Sequence, residues 1–411
     1  MSQHPHTPSK PPIWRQPTTI YLFIIGANSL GLALMFTMSN VYRVGAGLTA
    51  MQLVLVGTML ELSVFLFEIP TGIVADVYSR RLSVITGYAL IGLGFLLEAA
   101  VPWVVTIWLA QWVWGIGYTF TSGAREAWLA DEVGEENLSH VYLRAAQVGQ
   151  AMSLVGVGLA TLLATVRLNL PMWLGGGVML ATAVALAFTM PETGFHPTPR
   201  EERTTWGQMG HIFREGGRVV RRSPLLMTIF AISLCIGLAS EGLDRFWQAH
   251  FLTNFTLPNL GALDSVAWFG IMQIVTTLLV LGLTQWLRRR NLEDDQTAVR
   301  LLFTLKFVMI GGVFALAWAG NFAVAIAAYW TTFVFRSLTY PIYNAWLIRQ
   351  TEPQVRATVL SMHGQMDSLG QIASGPLMGV IATVGSFRWA LTAVGVLWTA
   401  VLPLLGRARK R

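Results

Sequence analysis

Twelve apolar runs, each about 20 residues long, recur between residues 18 and 405, and about 20 apolar residues is what a helix needs to cross the hydrocarbon core of a bilayer. They fall at 18–40, 50–75, 82–100, 103–124, 141–165 and 171–190. After a polar stretch they resume at 224–251, 266–287, 301–319, 322–347, 358–384 and 389–405. Lipid cannot hydrogen-bond an exposed backbone, and no run alternates with the period of two that a barrel strand requires, so all twelve are expected to be helices. Charged residues make up 12% of the 411, against about 25% in an ordinary soluble domain. The single Cys235 excludes a disulfide framework and any multi-cysteine metal site.

Charge in the loops sets the expected orientation. Twenty-one Lys and Arg residues lie in tails and loops on the side of the N-terminus, against Arg43, Arg167 and Arg388 on the other side. The positive-inside rule therefore places both termini in the cytoplasm, and the net charge of +7 marks loops rather than a nucleic-acid partner. Residues 1–17 read as a disordered tail and 406–411 as a basic one. Between the two sets of six runs, 191–223 carries Trp206, Met209, Ile212 and Phe213 among arginines, which suits a helix lying at the membrane interface. It is either a strap that couples two halves or an ordinary linker anchored by Trp206.

The two sets of six resemble each other. Ala127-Trp128-Leu129 and Ala345-Trp346-Leu347 are 218 residues apart, and the same offset carries Val141 onto Val359 and Gln147 onto Gln365. Gly72 and Arg80 recur with equal spacing as Gly282 and Arg290. Parallel repeats of this kind place a substrate cavity at mid-membrane between the halves. The expected fold is thus all-α, with twelve transmembrane helices in two pseudo-symmetric six-helix bundles, 18–190 and 224–405.

The segment Glu68-Ile-Pro70-Thr-Gly72-Ile-Val-Ala-Asp76-Val-Tyr-Ser79-Arg80-Arg81 resembles the signature loop of the major facilitator superfamily: a glycine, an acid four residues on, then a basic pair. Met190-Pro191-Glu192-Thr193 after the sixth run is also similar to that superfamily. Gly72 is expected to allow close helix approach, and Asp76 to pair with basic residues or cap a neighbouring helix, favouring one conformer. The family's usual glycine before the basic pair is Ser79 here, which should weaken the turn. The segment from Ser122 to Asp131, including Arg125, Glu126 and Asp131, resembles bacterial multidrug and macrolide-type efflux proteins. That resemblance implies proton-coupled efflux at the bacterial cytoplasmic (inner) membrane. Two elements of drug–proton antiporters are missing: their fourth-span arginine is Gln111, and the fifth run lacks their glycine–proline motif.

Ionisable side chains inside an apolar run cost about 3 kcal/mol each on insertion scales, so each needs a partner or a wet cavity. Glu61, Arg336 and Asp367 lie near the middle of the second, tenth and eleventh runs; the resemblance to the superfamily, in whose fold the second and eleventh spans face each other, implies that the three share one site. They either couple protons or bind a cationic substrate, since desolvated carboxyls exchange protons near neutral pH, or else Arg336 and Asp367 form a fixed neutralising pair. Glu68 and Arg125 either close a cytoplasmic gate or form a charge cluster reaching water. Glu241 and Arg245 are one turn apart and can pair on their own helix, unless Glu241 and Asp244 face the cavity in its outer third. Lys306 is placed at the start of the ninth run, snorkelling to the interface. His250 and His363 read as packing residues. Trp112, Trp114, Tyr118, Trp330 and Tyr340 lie deep enough to stack on a bulky, lipophilic cation or simply to pack.

No phosphate-cradling glycine loop, His-Glu-x-x-His or serine elbow occurs, so no enzyme, cofactor or metal is expected. The expected function is secondary active transport of a small molecule by alternating access, by a monomer in the lipid bilayer, with proton-coupled efflux of a lipophilic molecule as the leading form. The competing form is a nutrient or metabolite importer, which an Asn/Gln-rich mid-membrane cavity would favour; a remote third is a non-transporting scaffold. Reporter fusions after Pro102, Asn169 and Ser386 should all report the outside. One of them inside would break the repeat alignment.

Overall fold

A computed structural model describes residues 12–134, 136, 138–197, 218, 223–261, 263–287, 294–351 and 356–409. The expected interfacial helix at 191–223 lies mostly outside the described residues, as do residues 1–11 and the last two of the basic tail. The first set of helices is α1 (Pro17–Gly45), α2 (Ala50–Val77), α3 (Arg80–Ala100), α4 (Val104–Thr121), α5 (Ala124–Val133), α6 (Leu138–Ala164) and α7 (Leu170–Thr189). The second is α8 (Pro224–Asn254), α9 (Ala267–Leu287), α10 (Asp295–Ala317), α11 (Phe322–Arg349), α12 (Arg356–Val384), α13 (Phe387–Thr399) and α14 (Val401–Arg409).

Local chemistry sets the helix ends. Thr49 and Gln52 form a reciprocal capping box on α2. Ser79 caps α3 by accepting from Leu82 N, and Asn321 caps α11 by accepting from Val324 N. Asp294 caps α10 through Thr297, whose side-chain and backbone donors hold the Asp294 carboxyl below the ordinary range. Ser79 therefore does not weaken its turn; at φ −173° the position needs no glycine, and the hydroxyl serves as the cap.

Four expected boundaries move. The α1 helix runs to Gly45, so Arg43 is inside it rather than in a loop. The α10 helix begins at Asp295, six residues before the apolar run, which places Lys306 about 9 Å deeper than expected. The fourth run stops at Thr121, because Gly123 adopts φ +71° and starts α5 afresh. At the repeat offset of 218, Gly123 corresponds to Pro341, which sits inside α11 and lacks the N–H that would bond to Ser337. The last run divides at Ala400, three residues before Pro403, whose ring would meet the Thr399 carbonyl in a continuous helix.

Ten of these segments, counting α13 with α14, are long and apolar enough to cross a membrane by themselves. The α4 and α12 helices complete the twelve. Their mean hydropathy is lowered by the residues that make them useful: Gln111, Trp112 and Trp114 in α4, and His363, Asp367 and Gln371 in α12.

In the N-terminal half α1 packs on α6 and α7, and α3 on α4 and α7. In the C-terminal half α8 packs on α12 and α13, and α10 on α11. The halves meet along α2–α12, α6–α9 and α1–α8. Both termini emerge at one end of the bundle, the end that carries Arg80 and Arg81. At the far end the apolar core of the C-terminal half continues through Met38, Val41, Leu53, Val54 and Ile107 of the other half. Small residues make this approach possible: a Cβ on Gly375 or Gly270 would strike the hydroxyls of Thr58 and Thr161. Gln248 Nε2 donates to the Thr37 carbonyl at 3.0 Å, and Asn40 Nδ2 to the Asp244 carbonyl at 2.9 Å. Among the described residues, no hydrogen bond or ion pair joins the halves near the basic end, where Tyr118 and Tyr340 are 45% and 69% exposed. Among the described residues the halves are joined at the far end and stand apart at the basic end.

A Cβ at Gly375 would lie 3.3 Å from the Thr58 Cβ, close to disulfide geometry. In a Cys235→Ala background, Thr58→Cys with Gly375→Cys should cross-link on oxidation and stop transport until reduced. Free transport by the oxidised, cross-linked protein would mean that this seal does not open.

Candidate functional site

The ionisable residues of the spans converge at mid-helix. Glu61 is the twelfth of 28 residues in α2, Glu241 the eighteenth of 31 in α8, and Lys306 the twelfth of 23 in α10. Arg336 is the fifteenth of 28 in α11 and Asp367 the twelfth of 29 in α12. A cavity of about 470 Å³ lies between the halves at this depth, and a second of about 710 Å³ adjoins it inside the C-terminal half.

Glu241 Oε1 accepts from Arg245 Nε at 2.8 Å, one turn along α8, and this pair is almost wholly buried. Both line the first cavity, and the Glu241 carboxylate occupies the space that a side chain on Gly57 of α2 would need. The pair thus sits between the halves, level with Gly57, the eighth of the 28 residues of α2 counted from the far end. Arg336 binds Asp244 bidentately, with Nη2 to Oδ2 at 2.7 Å. The expected Arg336–Asp367 pair does not form: Asp367 instead accepts from Gln371 Nε2 at 2.9 Å, one turn along its own helix. Glu61 faces Ser368 of α12, with Glu241, Asp367 and Arg245 as its charged neighbours. The three residues expected to share a site therefore lie in one region, but among the described residues only Arg336 has an ion-pair partner, Asp244.

The first cavity has a mixed wall. Asn40, Gln248, Gln273 and Gln371 supply amides, and Thr276, Thr277 and Ser337 hydroxyls. Phe36, Trp114, Trp247, Tyr329 and Phe333 supply aromatic faces; Trp247 packs at 4.7 Å from Tyr329 and 5.5 Å from Phe333. Trp112 is turned away to Met59 and Phe67, and its neighbour Trp114 lines the cavity instead. Tyr118 stands outside both cavity walls, near Glu68 and Tyr340 toward the basic end.

At the basic end the signature loop is fixed to its own half. Arg80 bridges Asp131 and, at 3.9 Å, Asp76, and donates to the Ala127 carbonyl at 2.8 Å. Glu192 accepts from Ser79 Oγ at 2.7 Å and from Arg81 N at 2.9 Å, while the Arg81 guanidinium donates to the Ala187 carbonyl. Trp128 Nε1 donates to the Pro191 carbonyl at 2.7 Å. Asp76 remains 58% exposed. Gly72 has open space beside it, not a close helix contact, because its neighbours have parted at this end. Glu68 and Arg125 do not pair: Glu68 faces Ser122, while Arg125 donates to the Tyr88 hydroxyl at 3.2 Å and lies 3.5 Å from Glu126.

Two buried charges escaped the sequence reading. Arg43 and Glu98 are fully buried and paired at 2.7 Å, with Gln111 Nε2 donating to Glu98 Oε2 at 2.7 Å and Asn40 Oδ1 accepting from Arg43. Asn40 in turn reaches α8, so this network joins α1, α3 and α4 to the other half. Glu98 alone in the third run was the available signal. Lys306 does not snorkel; it is 5% exposed and faces the second cavity.

The sequence profile of the Major Facilitator Superfamily matches residues 18–336. An uncharacterized MFS-type transporter YxaM of Bacillus subtilis (strain 168) is 20% identical over 362 residues, covering 86% of each chain. The nucleoside transporter NupG superposes with a TM-score of 0.73 at 13% identity, over 95% of this chain and 98% of its own. A peptide transporter POT in complex with sulfate gives 0.70 at 14%, over 96% of each.

Removing one partner of a buried ion pair costs about 3–5 kcal/mol, whereas replacing both with apolar groups costs far less. Arg43→Gln should therefore lower the melting temperature of the purified protein sharply, and Arg43→Met with Glu98→Leu should recover most of the loss. Equal melting temperatures for Arg43→Gln and wild type would remove the network from the stability of this half.

Proposed function

Because the chain belongs to the Major Facilitator Superfamily, we propose that it is a proton-coupled secondary transporter that carries a small, polar organic molecule by alternating access. The observation that carries this reading is the wall of the 470 Å³ cavity, where four side-chain amides and the hydroxyls of Ser39, Thr276, Thr277 and Ser337 share the surface with five aromatic rings. Each of these amides makes a hydrogen bond within the protein and keeps further donor and acceptor capacity, so such a wall suits solutes that can pair with it. This is the feature that favours a metabolite over a purely lipophilic molecule. The nucleoside and peptide transporters of the same fold handle solutes of this size and polarity.

On this reading the basic end faces the cytoplasm of a bacterial cell, as its Lys and Arg content supports. The closed far end is then the outer gate, and the protein is in an inward-open conformation. The halves 18–190 and 224–405 rock about the site, one chain sufficing as a monomer. Exposed Asp76 becomes a contact for the opposite half when the inner side closes, with Arg80, Arg81 and Asp131 holding its loop in place. Glu61 couples the proton: burial gives its two protonation states different costs, so its charge and the gap between α2 and α12 are linked.

Efflux of a lipophilic cation, the form implied by the resemblance of 122–131 to multidrug and macrolide exporters, is favoured by one observation. Trp114, Trp247, Tyr329 and Phe333 share a cavity with Glu241 and Asp244, so a cation and a proton would compete there.

Proteoliposomes under an imposed pH gradient separate the two, with a panel of nucleosides, dipeptides, organic acids and lipophilic cations. A polar solute should move, and Glu61→Gln should abolish gradient-driven transport while keeping solute exchange. Movement of lipophilic cations alone would establish the exporter reading. Wild-type coupling in Glu61→Gln would remove Glu61 from the proton path.

A further inference from the structure

The second cavity, inside the C-terminal half, is lined by a buried ammonium that has no carboxylate partner among the described residues. Lys306 is 5% exposed at mid-helix and lines this cavity, and no carboxylate lies within ion-pair distance of it among the described residues. Its ammonium stands 5.4 Å from the centre of the Trp398 ring, and the Arg336 guanidinium stands 5.9 Å from the same ring. The two acids of the cavity are engaged elsewhere. Asp244 is held bidentately by Arg336, and Asp367 takes its hydrogen bond from Gln371. An ammonium at this depth normally survives only with a partner or in a cavity that admits one.

Two further donors in the same wall are idle. Trp398 is 0% exposed, and its indole nitrogen makes no hydrogen bond; the Nε2 of His363 is likewise buried without a partner. An indole N–H only donates and calls for an acceptor, whereas the His363 Nε2 donates in one of the two neutral tautomers. An ammonium, an indole donor and an imidazole nitrogen without partners therefore border one cavity, whose Tyr340 is 69% exposed and opens it to the basic end.

We propose that this cavity is an anion subsite that takes the carboxylate of an organic solute, with Lys306 as the countercharge and Trp398 and His363 as flanking donors. The proposal rests on the transport reading above and names its substrate class. Lys306 and Arg336 against Asp244 and Asp367 make the wall formally neutral, so a single negative charge is tolerated better than the roughly −1.5 to −2 of a phosphate group. The Trp398 face and Phe333 provide an apolar bed for the rest of the molecule, which a bare inorganic anion would not use. The carboxylate seated at Lys306 lies beside Arg336 and Asp367, the groups that adjoin the central site, so substrate charge and the mid-membrane ion pairs act on each other.

The test uses the full chain, purified, with benzoate as the probe and benzamide, benzylammonium and inorganic phosphate as its counterparts. Tryptophan fluorescence and melting temperature read binding. Benzoate should bind saturably and at least about tenfold more tightly than benzamide, the difference expected for one charge-assisted hydrogen bond. Lys306→Arg should keep that preference and Lys306→Gln should erase it, making benzoate and benzamide equal. Equal binding of the two to the wild type, preference for benzylammonium, phosphate competing as well as benzoate, or retention of the preference in Lys306→Gln would each overturn the subsite. If Lys306→Gln does not yield folded protein, the wild-type ratio of benzoate to benzamide decides alone. Loss of this preference with pH-driven transport of another solute intact overturns the anion subsite only, whereas absence of any pH-driven transport overturns the reading beneath it.

Discussion

Seven ionisable side chains lie near mid-membrane, where the bilayer offers them nothing, and the arrangement of the C-terminal half follows from how they satisfy one another. Glu241 is answered by Arg245 and Arg336 by Asp244, each through short charge-assisted bonds. Among the described residues that leaves Glu61, Asp367 and Lys306 without an ion-pair partner within 4 Å; Asp367 and Lys306 line the second cavity, and Glu61 faces Ser368 of α12. In a bilayer such residues persist where water, a proton or a ligand reaches them. The cavity is thus a consequence of unfinished charge pairing, and the chemistry that enters it is set by which charges remain.

The far-end seal gives these charges their leverage. It is built of apolar contacts and a few amide bonds across α1–α8 and α2–α12, without an ion pair between the halves among the described residues. Gly57 shows how close the two are: the Glu241 carboxylate fills the place of its missing side chain, so any movement of α2 against α8 alters the surroundings of the buried pair. At the other end the signature loop is braced by Arg80, Asp131 and Glu192 entirely within the N-terminal half. The loop is therefore fixed to its own half, with Asp76 58% exposed.

What could be read from sequence alone divides along physical lines. A charge inside an apolar run stands out without any structure, which is why Glu61, Glu241, Arg336 and Asp367 were legible. Partnership was legible only where periodicity fixes it, as for Glu241 and Arg245 at one turn. Whether Arg336 meets Asp244 or Asp367 depends on the rotation of α11 against α8 and α12, which no spacing encodes. Lys306 and Arg43 were misplaced for one reason: polar first and last turns extend α10 and α1 beyond their apolar runs, and a few residues at 1.5 Å each convert an interfacial side chain into a buried one. The amides of the cavity were invisible because Asn40, Gln248 and Gln273 sit singly on three helices and converge only in the fold.

The central claim is that the closed far end and open basic end are one of two states that protonation near mid-membrane exchanges. Spin labels at Tyr78 and Ile348 report the basic end, and labels at Val166 and Leu263 the far end, all at exposed positions. Distances measured across a pH series should show two populations at each end, the basic-end pair shortening as the far-end pair lengthens. A single distance at each end, unmoved by pH, would contradict it.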